Sequence, residues 1–279
     1  MAEVIGLIAG GGQFPFLVAR AGRAAGAAVV AVGFAGNTDP ALAAETASYV
    51  ELHLGQVSRL LRTFKDQGAT RVVFAGTINK PRAMDLRPDW LAAKLLLRLA
   101  GKGDDAILRT LAGELERQGL HLSSALELLP GMATPEGPLT AKPPRASDLD
   151  DLRLAWPMAK ALGRMDIGQS LLIRSGVVGA VEGPEGTDAA IARAGELVGK
   201  GCVLCKVFKP GQDARIDLPA AGPGTVRAMA AVGGSCIGIE AGRSVFFDLE
   251  ESVALAERHG IRLVGLSAQY LGLPPEAGA

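Results

Sequence analysis

The feature that most constrains the fold is a regular alternation of strand-like and helix-like segments over the first 130 residues. Val4–Ala9 is a short apolar run that ends in three glycines, residues 16–25 are rich in alanine, and residues 27–34 are apolar and β-branched. An amphipathic helical segment around residues 60–64 and the strand-like Arg71–Ala75 continue the pattern. This alternation predicts a parallel sheet covered by helices. Ligands of such sheets bind beyond the carboxyl ends of the strands, where these glycine turns lie.

The chain is predicted to form two α/β domains. Its 279 residues exceed the roughly 150 residues typical of one domain. A stretch rich in proline and threonine follows residue 130, and its prolines neither continue a helix nor donate hydrogen bonds in a sheet. Beyond residue 166 the alternation resumes, for example as a strand over 236–240 and a helix over 249–259. We therefore predict an N-terminal Rossmann-like α/β domain over residues 1–132, a proline-rich linker over 133–146 and a C-terminal α/β domain over 147–279.

Composition narrows the class of protein. The 29 lysine and arginine residues balance 29 aspartate and glutamate residues, which argues against a nucleic-acid binder while leaving local basic patches open. No apolar run approaches the roughly 20 residues that span a bilayer, and the N-terminus lacks a signal-peptide pattern. Cytoplasmic localisation is therefore expected. Cys202, Cys205 and Cys236 are an odd number of thiols and are predicted to be reduced and buried rather than ligands of a metal.

A glycine triplet follows the first predicted strand. The backbone amides of Gly10, Gly11 and Gly12 can approach an anion beside a helix N-terminus, which favours a phosphate site. The triplet is not a dinucleotide fingerprint, because Pro15 stands where the third glycine of that motif would be and no acidic residue closes the second strand. A tight turn without a ligand explains the glycines as well.

Two further segments carry polar groups at predicted element ends. Thr77 and Lys80 offer a hydroxyl and an ammonium in the loop after the strand that ends at residue 75. Asp104 and Asp105 stand together at the start of a predicted helix. A solvated loop explains the first pair, and a capped first helical turn explains the second.

An acidic segment lies between a predicted strand and a helix. Glu182, Glu185 and Asp188 are three acids within seven residues, and carboxylate oxygens at such a point are suited to Mg²⁺ or Mn²⁺. Thr187 belongs to the same segment and is alternatively a cap of the following helix.

The densest group of charges lies in residues 206–219. Lys209 and Arg215 are candidates for phosphate contacts, and Asp213 and Asp217 are candidates for a metal ligand or a base. The two-residue spacing of Asp213, Arg215 and Asp217 would place all three on one face if the backbone is extended. A plain cluster of ion pairs remains the alternative.

These residues are most consistent with metal-assisted hydrolysis or transfer of a phosphoryl group. The sequence lacks the motifs of serine hydrolases, zinc proteases and P-loop enzymes. Two other classes stay open. The strand–glycine–helix start is compatible with a nucleotide-dependent oxidoreductase, and the same features are compatible with a non-catalytic protein that binds a nucleotide sugar or a lipid.

Six blocks of the sequence, in order and over nearly the whole chain, resemble a known enzyme family. The blocks are IGLIAGGGQFP (5–15), FAGTINKP (74–81), KGDDA (102–106), GRMDIGQ (163–169), VEGPEGTD (181–188) and KPGQDARIDLP (209–219). They are similar to the signature blocks of the UDP-2,3-diacylglucosamine pyrophosphatases of lipid A biosynthesis, of the type distinct from the metallophosphoesterase-fold enzyme.

The resemblance implies hydrolysis of UDP-2,3-diacylglucosamine to UMP and 2,3-diacylglucosamine 1-phosphate (lipid X) in a cleft between the two domains, the C-terminal one being catalytic. It implies Mg²⁺ or Mn²⁺ as cofactor, a homodimer, peripheral contact with the inner membrane surface and no nucleic-acid partner. Asp217 is then the catalytic residue. Asp217 is also expected to be a metal ligand, together with Asp104, Asp105, Glu182 and Asp188. The substrate-binding residues are expected to be Gly10, Gly11, Gly12, Thr77, Lys80, Thr187, Lys209 and Arg215.

Overall fold

The computed structural model describes residues 2–78, 87–97 and 104–275. The chain forms two compact units. The first comprises residues 1–131 together with Asp213–Asp217, and the second comprises residues 132–212 and 218–279. The chain therefore leaves the second unit for five residues, which belong to the first unit, and then returns.

The first unit is built on a five-stranded parallel sheet. Its elements are β1 (Val4–Ala9), α1 (Phe14–Ala24), β2 (Ala28–Phe34), a 3₁₀ helix (Pro40–Glu45), β3 (Ser48–Leu52), α2 (Val57–Asp66), β4 (Arg71–Ala75), α3 (Trp90–Leu97), α4 (Asp104–Arg117), β5 (His121–Ser123) and α5 (Ala125–Leu128). The strand order is β3-β2-β1-β4-β5. The chain runs from β1 to β2 on one side and later places β4 on the other, so the carboxyl ends of β1 and β4 form a topological switch point, where ligands bind in such sheets.

Both faces of this sheet are covered. Alternate residues of β1 point to opposite sides, so that Leu7 packs in one core with Val18 of α1, while Ile8 packs in the other with Phe64 of α2. The predicted alternation of strands and helices is confirmed here. It arises because the buried strands are apolar on both faces and the helices pack on them through one apolar face.

The second unit is built on a six-stranded mixed sheet. Its elements are β6 (Gly137–Pro138), α6 (Ala146–Arg164), β7 (Ser170–Arg174), β8 (Val177–Val181), α7 (Thr187–Val198), β9 (Val203–Lys206), β10 (Ala220–Ala221), α8 (Pro223–Ala231), β11 (Cys236–Glu240), β12 (Val245–Phe246), α9 (Leu249–His259) and β13 (Arg262–Leu266). The strand order is β6-β13-β11-β9-β7-β8, and β9, β11 and β13 are parallel. A short 3₁₀ helix, Pro130–Met132, precedes β6.

This sheet also separates two cores. Leu204 of β9 packs with α7, α8 and α9, whereas its neighbour Val203 packs with Leu152 and Trp156 of α6. The proline-rich stretch 133–146 contains β6, which pairs antiparallel with β13, so part of that stretch is built into the sheet. Proline is tolerated there because β6 is an edge strand. The α/β class predicted for both halves is confirmed.

The three cysteines are free and buried, as predicted. Cys205 lies in the core against α6, and burial raises the pKa of its thiol to about 12. Such a thiol is protonated at neutral pH and acts as a small apolar side chain. Among the described residues, no helix combines the length and apolar character needed to cross a bilayer.

Candidate functional site

In the first unit, the loops after β1 and β4 are joined backbone to backbone. Gly10 N donates to Ala75 O (2.8 Å), Gly11 N donates to Thr77 O (2.7 Å), and Thr77 N donates to Gly11 O (3.2 Å). A Cβ atom on Gly10 would lie 2.5 Å from Thr77 O, so glycine is required there by the neighbouring loop. Two of the three amides predicted to bind phosphate therefore already donate to carbonyl oxygens.

Gly12 differs from the two glycines before it. Its φ of +85° favours glycine, and a Cβ at this position would meet no atom of the described residues within 4 Å. It precedes α1, whose N-terminus carries the positive end of the helix dipole. Gly12 is thus the member of the triplet placed where an anion can approach. Lys80, predicted to contribute from the neighbouring loop, lies outside the described residues.

Thr38 is a buried residue of this edge that the sequence analysis missed. Its hydroxyl accepts from Phe34 N (2.8 Å) and donates to Ala9 O (2.6 Å), which ties the turn after β2 to the end of β1. The signal available in the sequence was a threonine four residues beyond the last residue of a predicted strand, where hydroxyl side chains satisfy backbone groups.

The segment Asp213–Asp217 forms a turn in the first unit. Ile216 N and Asp217 N both donate to Asp213 O, at 2.9 and 3.2 Å. The expectation that Asp213, Arg215 and Asp217 share one face of an extended strand is therefore wrong, because these i+3 and i+4 hydrogen bonds coil the backbone. Ile216 packs into the core beneath α2 and α4, which anchors the turn that carries Asp217.

Arg215 is held by two carboxylates. Its Nε and Nη2 atoms donate to Asp213 (2.9 and 2.6 Å), and Nη1 donates to Glu116 of α4 (2.6 Å). The hydrogen bond with Asp213 raises the pKa of the guanidinium, and Arg215 in turn lowers the pKa of the Asp213 carboxyl. The ion-pair alternative thus describes Arg215 well, although guanidinium N–H groups remain for a phosphate.

In the second unit, Lys206, Thr187 and Glu182 form a chain of hydrogen bonds. Lys206 Nζ, on a buried side chain at the end of β9, donates to Thr187 Oγ1 (2.8 Å), and Thr187 Oγ1 donates to Glu182 Oε1 (2.7 Å). Thr187 begins α7 and Glu182 follows β8. The sequence placed Glu182 and Thr187 together but did not assign Lys206, whose only signal was a cation at the end of an apolar strand.

Three buried polar atoms around this chain have no hydrogen-bond partner among the described residues. They are Gln169 Oε1, Ser170 Oγ and Glu182 Oε2. Ser170 is the register partner of Lys206, and Glu182 N donates to Ser170 O (2.9 Å), so the three lie at one edge of the sheet. Buried polar atoms without partners are rare and costly, and a bound water, ion or substrate group would satisfy them.

The predicted metal ligands differ in their burial and in whether their side chains are described. Glu182 offers a buried carboxylate oxygen that has no donor among the described residues, which fits one hard oxygen ligand of Mg²⁺ or Mn²⁺. Asp188 is exposed in the first turn of α7, and Asp104 and Asp105 begin α4, but their side chains lie outside the described set. No three His, Cys, Asp or Glu side chains converge as a metal cluster within residues 2–78, 87–97 and 104–275.

A buried ion pair holds the chain where it leaves β9. Lys160 Nζ lies 2.7 Å from Glu240 Oε2, and their side chains are 3% and 7% exposed. Glu240 Oε2 accepts from Phe208 N (2.7 Å), and Lys160 Nζ donates to Phe208 O (3.1 Å). The pair therefore fixes both the N–H and the C=O of Phe208. Neither charge was predicted as functional, because neither stands in one of the motifs singled out from the sequence.

Lys209 follows directly and is seated on the end of α6. Its Nζ atom pairs with Asp166 Oδ1 at 2.8 Å. A Cβ on Gly163 would lie 3.1–3.2 Å from Lys209, and a Cβ on Gly168 would lie 2.1 Å from Glu182 O. The block 163–169 thus lets the chain pass closely under both Lys209 and Glu182.

Comparison with known proteins relates these features to a family. A model described as the LpxI N-terminal domain matches residues 4–132, and one described as the LpxI C-terminal domain matches residues 135–264. The chain belongs to the LpxI family. It is 34% identical over 276 residues to UDP-2,3-diacylglucosamine pyrophosphatase LpxI of Caulobacter vibrioides, an alignment that covers 95% of this chain and 98% of that protein.

The LpxI C-terminal match includes Asp217, which the structure nevertheless groups with the first unit. The likeness to two solved structures is faint. The biotin carboxylase domain of a single-chain bacterial carboxylase is 17% identical, with a TM-score of 0.26 over 69% of this chain and 40% of that chain. The biotin carboxylase domain of Hydrogenobacter thermophilus 2-oxoglutarate carboxylase is 14% identical, with a TM-score of 0.25 over 70% and 41%. This LpxI-family chain spans about two fifths of either domain.

Proposed function

We propose that this chain hydrolyses the pyrophosphate of UDP-2,3-diacylglucosamine to UMP and 2,3-diacylglucosamine 1-phosphate (lipid X) in lipid A biosynthesis, with Mg²⁺ or Mn²⁺ as cofactor. The observation that carries the proposal is the 34% identity, along nearly the full length of both proteins, to a relative of that activity. The order of the six sequence blocks supports it.

The polar side chains at the end of β9 in the second unit, Glu182, Thr187, Lys206 and Lys209, are suited to this substrate. A pyrophosphate diester carries two negative charges that repel an incoming water, so cations must neutralise it before an in-line attack. Lys209, oriented by Asp166, is assigned to phosphate contact. Lys206 acts through Thr187, since its ammonium donates to that hydroxyl and thereby sets the direction in which Thr187 donates to Glu182.

A divalent cation would supply further neutralisation of the pyrophosphate. Two separate ligand assignments are made, Glu182 in the second unit, whose Oε2 atom has no partner among the described residues, and Asp217 in the first unit. Asp217 is also assigned to orient the attacking water, because its turn is anchored by Ile216 and by the two-carboxylate clamp on Arg215. Gly12 is assigned to a phosphate at the N-terminus of α1.

The cellular setting is part of the same proposal. A substrate with two acyl chains is presented at a membrane, so the protein would act from the cytoplasm in peripheral contact with the inner membrane. We assign the functional form as a homodimer, which is the commonest assembly of soluble enzymes.

The test is release of UMP from UDP-2,3-diacylglucosamine, measured with Mg²⁺, with Mn²⁺ and with a chelator. Turnover is expected with either metal and is expected to stop with the chelator. Asp217→Asn is expected to lower kcat by about a thousandfold or more, whereas Asp150→Asn, an exposed carboxylate on α6, is the matched control and is expected to keep the rate.

Four outcomes would contradict the proposal or one of its assignments. Absence of UMP under every metal condition would remove the hydrolase assignment, and retention of the lipid without turnover would instead favour a binding protein. Saturable NAD(P) binding together with hydride transfer would favour the oxidoreductase alternative. Near-normal turnover of Asp217→Asn would remove the assigned role of Asp217.

A further inference from the structure

Helix α3 carries the two most exposed large apolar side chains of the described residues. Trp90 is 77% exposed and Leu97 is 82% exposed. With Lys94 they follow an i, i+4, i+7 spacing, so all three lie on one face of the helix. The opposite face is buried in the first unit through Ala92 and Leu95. The outward face is thus apolar with one cation.

The exposure does not result from a poorly attached helix. Asp89 caps α3 by accepting from Ala92 N (2.9 Å), and its second oxygen accepts from Ser58 N (2.6 Å) in the first turn of α2. Arg87 N donates to Leu54 O (3.0 Å) just before the helix. The backbone before α3 and its first turn are therefore fixed to the unit, and Trp90 is presented to solvent.

The sequence that contains α3 differs in charge from the whole chain. Residues 80–102 contain two acids and six basic residues, in a chain whose formal charge is zero. The six are Lys80, Arg82, Arg87, Lys94, Arg98 and Lys102. One of the acids, Asp89, is already engaged by two backbone N–H groups. This stretch therefore complements an anionic surface that also accepts apolar side chains.

We propose that the exposed face of α3 docks on an anionic lipid bilayer. Trp90 and Leu97 enter the interfacial layer, and Lys94 meets the headgroup phosphates. Lys94 Nζ lies 5.1 Å from the centre of the Trp90 ring, which places an ammonium beside an aromatic ring as at membrane interfaces. The surface rests on the proposed function for its purpose, since it would bring the protein to a diacylated substrate.

The test is binding of the full chain to vesicles of phosphatidylglycerol and phosphatidylethanolamine, with phosphatidylcholine vesicles for comparison. The chain has two tryptophans, and Trp156 is only 4% exposed. A blue shift of emission on binding is therefore expected to arise from Trp90 and to disappear in Trp90→Phe. Binding is expected to be strong only to the anionic vesicles and to weaken with salt.

Two variants test the face itself. Trp90→Ser combined with Leu97→Ser is expected to weaken binding about tenfold or more, and Lys94→Glu about fivefold or more. The matched controls are Leu197→Ser, at a 67% exposed leucine of α7, and Lys142→Glu, which makes the same change of charge elsewhere. Both controls are expected to bind like the wild type.

Equal binding by the α3 variants and the controls would overturn the proposal, as would a blue shift that persists in Trp90→Phe. Conversion of an oligomer to a monomer by the double serine variant, seen by light scattering, would assign the face to a second copy and would also overturn it. UMP release from detergent-dispersed substrate separates the two proposals. The α3 variants are expected to keep the wild-type rate on dispersed substrate and to lose activity on substrate embedded in vesicles. A wild-type protein that is inactive on dispersed substrate would refute the proposed reaction. The docking proposal would then be judged by the vesicle-binding measurements alone.

Discussion

The buried pair Lys160–Glu240 allows a quantitative prediction about the second unit. Lys160→Met removes the ammonium and keeps a long apolar side chain. Glu240 is then left as a carboxylate that is 7% exposed and has lost its cation, while Phe208 O loses one donor. The N–H of Phe208 still donates to the Glu240 carboxylate.

Breaking a buried ion pair from one side costs about 3–5 kcal/mol. That is a large share of a total stability of about 5–15 kcal/mol. Adding Glu240→Gln removes the uncompensated charge, and the amide oxygen can still accept the hydrogen bond from Phe208 N. The double variant is therefore expected to be more stable than Lys160→Met by about 2 kcal/mol or more.

Urea unfolding measures these free energies, with Trp156 as a local reporter because its ring centre lies 5.0 Å from Lys160 Nζ. A Trp90→Phe background leaves Trp156 as the single tryptophan. Lys142→Met, at an exposed lysine of the same unit, is the control and is expected to change stability by less than about 0.5 kcal/mol. A loss below about 1 kcal/mol in Lys160→Met, or a double variant no more stable than it, would refute the reasoning.

Two further predictions concern the sites. Gly168→Ala would place a Cβ 2.1 Å from Glu182 O, so displacement of Glu182 is expected to lower both UMP release and the urea midpoint. Gly113→Ala on α4, where a Cβ meets no described atom within 4 Å, is the control and is expected to raise the urea midpoint slightly. Equal effects of the two substitutions would contradict this prediction. The lowered pKa of Asp213 beside Arg215 means that the pair stabilises the fold above the ordinary aspartate pKa and loses that effect as pH falls through the folded-state value. Asp213→Asn is therefore expected to lower the urea midpoint at pH 7, and this difference from the wild type is expected to shrink as pH falls below about 4; a pH-independent difference would count against it.

The elements of the fold were predictable because they arise from local periodicity. β1, β4, β11 and α9 lie where their apolar patterns placed them. Strand alternation and helical spacing act over a few neighbouring residues, so one sequence suffices to read them. For the site, the sequence predicted which segments carry functional residues but not which segments contact each other. The glycines and charges marked the ends of strands without indicating their partners.

Contacts between distant blocks required the folded chain. The closeness of Lys206 to Thr187 follows from β9 lying beside β7, with β8 at the edge and α7 returning over them. The clamp on Phe208 joins residues 32 and 48 positions away. The glycine triplet shows the same limit, because the acceptor of Gly11 N belongs to a loop that begins more than sixty residues later.

By itself, the amino-acid sequence determined the α/β class, the positions of most strands and helices, the buried thiols and the blocks that mark the family, because each depends on local pattern or on residue identity. Tertiary structure decided which charged groups are paired and which keep a hydrogen-bonding atom available. It brought the turn of Asp217 into the first unit, gave Arg215 two carboxylates and left Glu182 Oε2 without a donor in the part of the chain that the structure describes. The physical reason is that a buried charge must be compensated by whatever group the packing places within about 3 Å, and strand order, which no local pattern encodes, sets that neighbour.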